Sequence, residues 1–375
     1  MKIKPFKVEQ WMNDYEMDAI YNIAETCVDA MSLSELIQLS GEDKDSLLDD
    51  ILDMKMTYGY ITGNPRLKDA ISSLYKGIGR DHILTTNGGI GANNLVLTTI
   101  VEPGDKVVSI IPTYQQLYSI PESLGADVHI MYLQKEKNFL PDMEKLKEMV
   151  DADTKIICLN NPNNPTGALI PDHMMEEIVD LAKSVDAYIL CDEVYRGLNQ
   201  DGSYHKSIVE LYDKGIGTSS MSKAFSLAGL RLGWLVTRDK ELMERLFSHR
   251  DYSIISCGVV DEVFGALALE NKDKVLERNL RIIRENLRIL DDWINEHERF
   301  SYVKPIAGTT ALVFYDYDIS AFEFCTGLME HSKTFVTPGS CFEYEKSFRI
   351  GYAASRETLI EGLKNLEEFC RGLEK

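Results

Sequence analysis

The run from Ser219 to Trp234 sets a lysine, Lys223, among hydroxyl side chains and eight residues before an arginine, Arg231. Ser220 and Ser222 can donate hydrogen bonds to phosphate oxygens, and the Arg231 guanidinium offers a planar, permanently charged fork. A primary amine in that company suits a phosphorylated aldehyde, with which it can condense as a nucleophile. Alone, the same stretch would read as a polar surface loop. Two motifs upstream change the reading.

Residues 189–195 read Ile-Leu-Cys-Asp-Glu-Val-Tyr, a short apolar run ending in Asp192 and followed by Tyr195. Such a run predicts a buried strand, whose carboxyl end is where open α/β sheets place ligands. Asp192 there can keep a pyridine nitrogen protonated, or it can simply cap the next helix. Tyr195 can bond a phenolic oxygen on the same ring. The strand-like segment Lys155–Leu159 leads into Asn160-Asn-Pro-Asn-Asn-Pro-Thr-Gly167, whose Asn and Pro density marks a tight loop on the same edge. Amine, carboxylate, phenol and phosphate ligands together point to pyridoxal phosphate, the cofactor that acts as an electron sink for carbanions.

In order and spacing these motifs resemble the class I/II, fold-type I aminotransferases, which depend on pyridoxal phosphate, and the similarity runs through most of the chain. The resemblance implies that Lys223 is the Schiff-base lysine, Asp192 the pyridinium partner and Tyr195 a ligand of the ring oxygen. Asn164 matches the asparagine that touches both ring oxygen and substrate carboxylate. Ser220, Ser222 and Arg231 match the phosphate cup, which the backbone N–H groups of Gly89 and Ile90 complete in the glycine turn Thr86–Gly91. Tyr114 matches the aromatic that stacks on the ring, and Arg349 the arginine that grips the substrate's α-carboxylate. Tyr58 matches the tyrosine that reaches the phosphate of a partner subunit; its distance to Gly63 favours it over Tyr60. Arg349 also lies in an otherwise apolar run, where an unpaired charge would be costly.

The implied activity moves an amino group between an L-amino acid and a 2-oxo acid in a ping-pong cycle, with Lys223 as general base and acid at Cα. The implied assembly is a homodimer with shared sites. Oxidation, cyclisation, β-elimination and racemisation begin with the same proton abstraction and stay open as alternatives. A nicotinamide dehydrogenase is disfavoured, since Gly88-Gly-Ile-Gly91 is not the Gly-x-Gly-x-x-Gly fingerprint. A regulator that has lost catalysis is disfavoured by the joint presence of Lys223, Asp192, Asn164 and Arg349.

Composition narrows the partners. The chain has 375 residues and a formal charge of −20, from 40 Lys+Arg against 60 Asp+Glu, which argues against a nucleic-acid partner. Seven cysteines, an odd and irregularly spaced set without a Cys-x-x-Cys pair, point to a reducing compartment. The seven histidines show no ligand-like spacing, so no metal is expected. With no signal-peptide core and no long apolar span, a cytoplasmic protein without a membrane partner is the expectation.

The elements that must position these residues alternate. Strand-like runs fall at 82–86, 106–111, 127–133, 155–159, 187–191 and 232–237, with helical periodicity between several of them, as from Asp142 to Val150 and Asp172 to Val185. The fold class predicted is α/β: a three-layer sandwich with a mostly parallel sheet, plus a smaller α+β domain. Residues 45–270 form the large cofactor-binding domain in this reading, and 1–44 with 271–375 the small one, entered through a long charged helix at Lys272–His297.

The first 40 residues fit the family least. Its Leu-x-x-Gly-Glu-Pro pattern survives here as Leu39-Ser-Gly-Glu-Asp, which puts Gly41 at the substrate. The segment from Glu9 to Cys27 resembles instead the arginine-handling branch that includes capreomycidine synthase. In that reading an amino-terminal helix covers the site and Glu9, Glu16 or Glu25 faces a basic side chain; otherwise the helix packs on the small domain with its acids in water. Arg250 is a weaker candidate for a distal substrate carboxylate, because its flanking residues match poorly.

Overall fold

The computed structural model describes residues 2–373; Met1, Glu374 and Lys375, at the ends of the expected small domain, lie outside the described residues. A seven-stranded sheet runs in the order Ile83–Asn87, Leu232–Thr237, Gly215–Ser220, Tyr188–Asp192, Thr154–Asn160, Lys106–Ile111, Asp127–Tyr132. Only Leu232–Thr237 runs against its neighbours; the other pairings are parallel. Lys106–Ile111, Thr154–Asn160, Tyr188–Asp192 and Leu232–Thr237 are buried almost throughout, which is why they read as largely apolar runs, whereas the edge strand Asp127–Tyr132 is only partly buried.

Alternation along each strand divides the interior into two cores. Val107, Ile156, Leu190 and Leu235 point to one side, where they meet Leu95 and Val96 of the helix Gly88–Ile100 and Leu242 of the helix Lys240–Arg250. Val108, Ile157, Ile189 and Trp234 point to the other, against Ile178 of the helix Asp172–Ser184 and Phe264 of the helix Val259–Glu270. Helices thus cover both faces, giving three layers. Truncating one such leucine to alanine would cost about 2–5 kcal/mol, since neither core can collapse onto the gap.

Two smaller sheets lie outside this sandwich. One is antiparallel, in the order Thr337–Pro338, Ser347–Gly351, Thr310–Tyr315, Phe300–Tyr302; the other pairs Tyr21–Asn22 with Thr334–Phe335 in parallel. The helix Lys272–Glu296 connects the sandwich to them. The predicted strands agree with those observed to within a residue or two, but the strand Gly215–Ser220 was not predicted. Its residues, Gly-Ile-Gly-Thr-Ser-Ser, carry no apolar run, yet all are buried at the centre of the sheet.

Among the described residues no helix is long and apolar enough to cross a membrane, and no group of three or more His, Cys, Asp or Glu could hold a metal ion. None of the seven cysteines is in a disulfide.

Candidate active site

The carboxyl ends of three adjacent parallel strands form the floor of a cavity of about 330 Å³. Asn160 ends one strand, Asp192 the next and Ser220 the third, with Asn160 in register with Asp192. Asp192 is buried; Asn93 Nδ2 donates to its Oδ2 at 2.8 Å and the Val194 N–H to its Oδ1 at 3.2 Å. Thr218 Oγ1 donates to Asn93 Oδ1 at 2.7 Å and fixes the amide's orientation. Burial pushes the Asp192 carboxyl above the ordinary carboxylate range, and Asn93, the Val194 N–H and Lys223 only partly pull it back. Among the described residues this carboxylate forms no ion pair within contact distance, Lys223 acting on it only from farther away. Behind it, the Asn160 amide ties the loop down, accepting from the Asn164 N–H at 2.7 Å and donating to the Asp192 carbonyl at 2.9 Å.

At one end of the floor the helix Gly88–Ile100 begins directly from its strand. Gly88 takes φ +70°, and a Cβ there would lie 3.0 Å from Arg231 Nη2. Gly233 lets the antiparallel strand pass against this turn, since its Cβ would sit 2.2 Å from the Gly88 carbonyl carbon. The result is a bare helix N-terminus, an arginine and the buried Ser220 and Ser222 around one end of the cavity, a set that binds phosphate.

Lys223 rises between this end and the amino-terminal segment. Its Nζ donates to Thr26 Oγ1 at 2.6 Å and lies 3.4 Å from Cys27 Sγ. Burial alone would lower the lysine's pKa, but it is held above the ordinary value by Cys27, Tyr195 and Glu25. Burial pushes the Cys27 thiol and the Tyr195 phenol up, so Glu25 is the anion of the three at neutral pH. Burial opposes the ionisation of Glu25 too, yet the Cys27 N–H, the Lys223 ammonium and the Thr26 N–H bring its pKa below the usual value. Glu25 Oε1 accepts from both of those backbone groups at 2.8 Å.

At the opposite wall Arg349 is 3% exposed and incompletely paired. It donates to Thr337 Oγ1 at 3.1 Å, the Ala24 carbonyl at 3.3 Å and Asn164 Oδ1 at 3.4 Å, while its Nε has no partner. Long bonds to neutral acceptors leave a buried guanidinium undercompensated, a state suited to receiving a carboxylate. The buried Tyr195 hydroxyl likewise makes no hydrogen bond of normal geometry.

The helix Lys7–Tyr15 closes the cavity from above, with Val8, Glu9 and Met12 in its lining. Glu9 Oε1 accepts from the Tyr114 hydroxyl at 2.6 Å, and Phe6 packs on the Tyr114 ring at 4.6 Å. Gln115 accepts from the Lys7 N–H and donates to the Pro5 carbonyl, both at 2.9 Å, and Trp11 Nε1 donates to the Val336 carbonyl at 2.9 Å. Glu16 and Glu25 join Glu9 in the lining. Burial, then Glu25, raises the Glu16 pKa, with a further push from Glu9 against the pull of Asn22 and Arg349. Of the two arrangements open for this segment, the structure has the helix over the cavity.

Gly89, Ile90, Tyr114, Asn164, Asp192, Tyr195, Ser220, Ser222, Lys223, Arg231 and Arg349 therefore meet in one cavity. Gly41 does not. It is the exposed left-handed cap of the helix Leu33–Ser40, with nothing within 4 Å of where a Cβ would stand, whereas Glu25, Thr26 and Cys27 line the cavity. Tyr58 also lies outside the cavity and is 73% exposed. Arg250 is fully buried and does not line the cavity; its Nε and Nη1 donate to the carbonyls of Thr85 at 2.9 Å, Ile61 at 2.5 Å and Ile255 at 2.9 Å, and its Nη2 has no hydrogen-bond partner among the described residues. Sequence reasoning missed Asn93, Thr26 and Cys27. Asn93 left a trace as part of an Asn-Asn pair in an apolar helix.

Residues 48–366 match the profile of the family described as Aminotransferase class I and II. Capreomycidine synthase of Streptomyces vinaceus is 28% identical over 96% of this chain and 92% of its own length. An aspartate aminotransferase of Pyrococcus horikoshii is 29% identical over 83% of this chain and 82% of its own. Among solved structures, a PLP-dependent aminotransferase from Streptococcus suis 89-1591 superposes with a TM-score of 0.97 at 43% identity, covering 100% of both chains. A PLP-dependent cyclase, OrfR, shares the fold with a TM-score of 0.92 at 24% identity, over 99% of this chain and 98% of its own. With the profile spanning most of the chain, the protein belongs to the class I and II aminotransferases and is a pyridoxal-phosphate-dependent transferase.

Proposed function

We propose that this enzyme transfers the amino group of a cationic L-amino acid to a 2-oxo acid. When bound, pyridoxal phosphate supplies an aldehyde that condenses with amines and a ring that accepts the electrons left at Cα. The residues present fit it. Arg231, Ser220, Ser222 and the N–H groups of Gly89 and Ile90 would hold the phosphate, Asp192 would pair with the ring nitrogen and Tyr195 with the ring oxygen, and Tyr114 would pack on the ring. Three features of the chain support this fit: the buried Asp192 without an ion pair, the unpaired Tyr195 hydroxyl and the glycine turn beside Arg231.

Lys223 is the amine that carries the cofactor, and once released it takes the Cα proton and returns it. Arg349, with Asn164, receives the substrate's α-carboxylate as a bidentate pair. The helix Lys7–Tyr15 keeps water from the reacting carbon. Glu9, Glu16 and Glu25 give the cavity an acidic wall, and Arg250, the one candidate for a distal carboxylate, does not line it; this favours a cationic side chain over an acidic one.

The observation that carries the reading is the convergence of Lys223, Asp192 and Arg349 on one enclosed cavity. Mixing the holoenzyme with each common amino acid singly, and following the cofactor's visible absorbance, tests it. Lysine or arginine should change the spectrum fastest, and aspartate slowly. A second reading, oxidation or cyclisation of the same cationic substrate, is favoured by the helical cover and by the likeness to proteins named synthase and cyclase. Without a requirement for a 2-oxo acid, oxygen uptake would decide for oxidation, and a cyclised product that keeps its α-nitrogen for cyclisation.

Two assignments of assembly belong to the same proposal. Tyr58, too exposed to serve its own cavity, reaches the phosphate of a second subunit in a twofold dimer. The division into 45–270 and 1–44 with 271–375 is supported by the sheets, since all seven strands of the large one fall in the first part and the smaller sheets in the second.

A further inference from the structure

The long helix Lys272–Glu296 and the segment 304–306 enclose a second concavity, of about 1050 Å³, that shares no lining residue with the cavity around Lys223. Six of its twelve lining residues are cationic: Lys274, Arg278, Arg281, Arg284, Arg288 and Lys304. Two are acidic, Glu277 and Glu285, which inverts the balance of a chain with 40 basic and 60 acidic residues.

Half of these cations are engaged by side chains or backbone elsewhere: Arg278 by Glu35 at 2.7 Å, Lys274 by the Leu39 carbonyl at 2.9 Å, and Lys304 by Asp291. Arg284 gives only its Nε, to the Gln200 carbonyl at 2.8 Å. Among the described residues Arg281 and Arg288 form no hydrogen bond or ion pair, although Glu277 and Glu285 stand at helical pairing positions. On the last helix such pairs do close, Lys364 with Glu361 and Arg371 with Glu367. The guanidinium groups here are held open.

Arg281, Arg284 and Arg288 follow the i, i+3, i+7 spacing of one helix face and span about 10 Å at 1.5 Å per residue. Planar forks at that pitch match several linked phosphates better than one point charge. Beside them Pro305 and Ile306, the latter 54% exposed, form an apolar shelf. The shelf continues into the catalytic cavity's supports. The Ile306 and Ala307 N–H groups both donate to the Gly167 carbonyl, at 3.0 and 3.1 Å, at the end of the loop that presents Asn164.

We propose that this groove is a second ligand site, for a small molecule carrying condensed phosphates, from either a nucleotide or inorganic polyphosphate. The proposal stands apart from the amino-group chemistry, and its test does not read activity. Holoenzyme saturated with cofactor is titrated calorimetrically at about 50 mM salt, where surface charge is weakly screened, with metal-free tripolyphosphate and with metal-free adenosine triphosphate. The double variant Arg281→Ala/Arg288→Ala is titrated in parallel, its fold checked by an unchanged thermal transition. One saturable site per chain, weakened about tenfold or more in the variant, is the expected result. Tighter binding of the nucleotide assigns the shelf to its base, and equal binding assigns the site to inorganic polyphosphate. No saturable binding of either probe, equal affinity in the variant, or release of cofactor in step with the anion overturns the proposal.

Discussion

Lys223 Nζ and Thr26 Oγ1 lie 2.6 Å apart although they are 197 positions apart in the chain, so the amine proposed to do the chemistry rests on the amino-terminal segment that lines the cavity. The Thr26 carbonyl is itself fixed, accepting from Thr309 Oγ1 at 2.8 Å. A hydroxyl so anchored gives the released amine one resting position.

Removing that hydroxyl should slow proton transfer more than substrate binding. Thr26→Val loses one hydrogen bond to a charged group, about 1.5–3 kcal/mol or roughly 10- to 100-fold in kcat. Thr26→Ser should recover most of it. Steady-state kinetics showing a raised KM with unchanged kcat would mark Thr26 as a substrate contact instead.

Arg349 and Arg231 should separate substrate from cofactor. Arg349→Ala should leave the cofactor spectrum intact and weaken catalysis by roughly 2–5 kcal/mol, because a buried charged partner is lost. Arg231→Ala should release cofactor first. Independent titrations of cofactor and substrate check both, and Arg349→Lys should rescue only in part, lacking the planar fork.

The acidic wall gives a pH dependence with a defined sign. Burial, Glu25 and Glu9 raise the Glu16 pKa, so its carboxyl loses charge at a higher pH than a free one. Its attraction for a cationic side chain is present above that pKa and fades as pH falls through it. The KM for lysine should therefore rise as pH falls, beginning at a higher pH than an unperturbed glutamate would give, while that for norleucine, of similar length and uncharged, stays flat. Glu16→Gln should remove the difference in slope.

Tyr58 predicts a shared site. Tyr58→Phe should loosen the cofactor by about 1.5–3 kcal/mol, the value of one hydrogen bond to a charged group, while the protein remains dimeric. Sedimentation showing a fully active monomer would remove Tyr58 from the site.

Legibility in the sequence followed burial and locality. Lys106–Ile111 and Tyr188–Asp192 were readable because strands buried on both faces must be apolar. Gly215–Ser220 was not, because close packing there requires small residues: a Cβ on Gly215 would lie 2.7 Å from the Ile208 carbonyl oxygen. The site residues that could be read sit in short motifs at strand ends, where chemistry leaves a local mark. Thr26 and Cys27 reach Lys223 only through tertiary placement, and nothing beside them in the chain announces it. Gly41 misled because the Leu39-Ser-Gly41 fragment belongs here to a helix cap, while Glu25 lines the cavity.

The central claim is that Lys223 moves an amino group from a cationic amino acid to an oxo acid. It is tested most directly by supplying the holoenzyme with α-15N-labelled lysine or arginine and a panel of 2-oxo acids, then locating the label by mass spectrometry. The account predicts 15N in the amino acid formed from one of the oxo acids, with wild-type enzyme and not with Lys223→Ala. Label released as ammonia, label retained in a cyclised donor, or equal transfer by Lys223→Ala would contradict it.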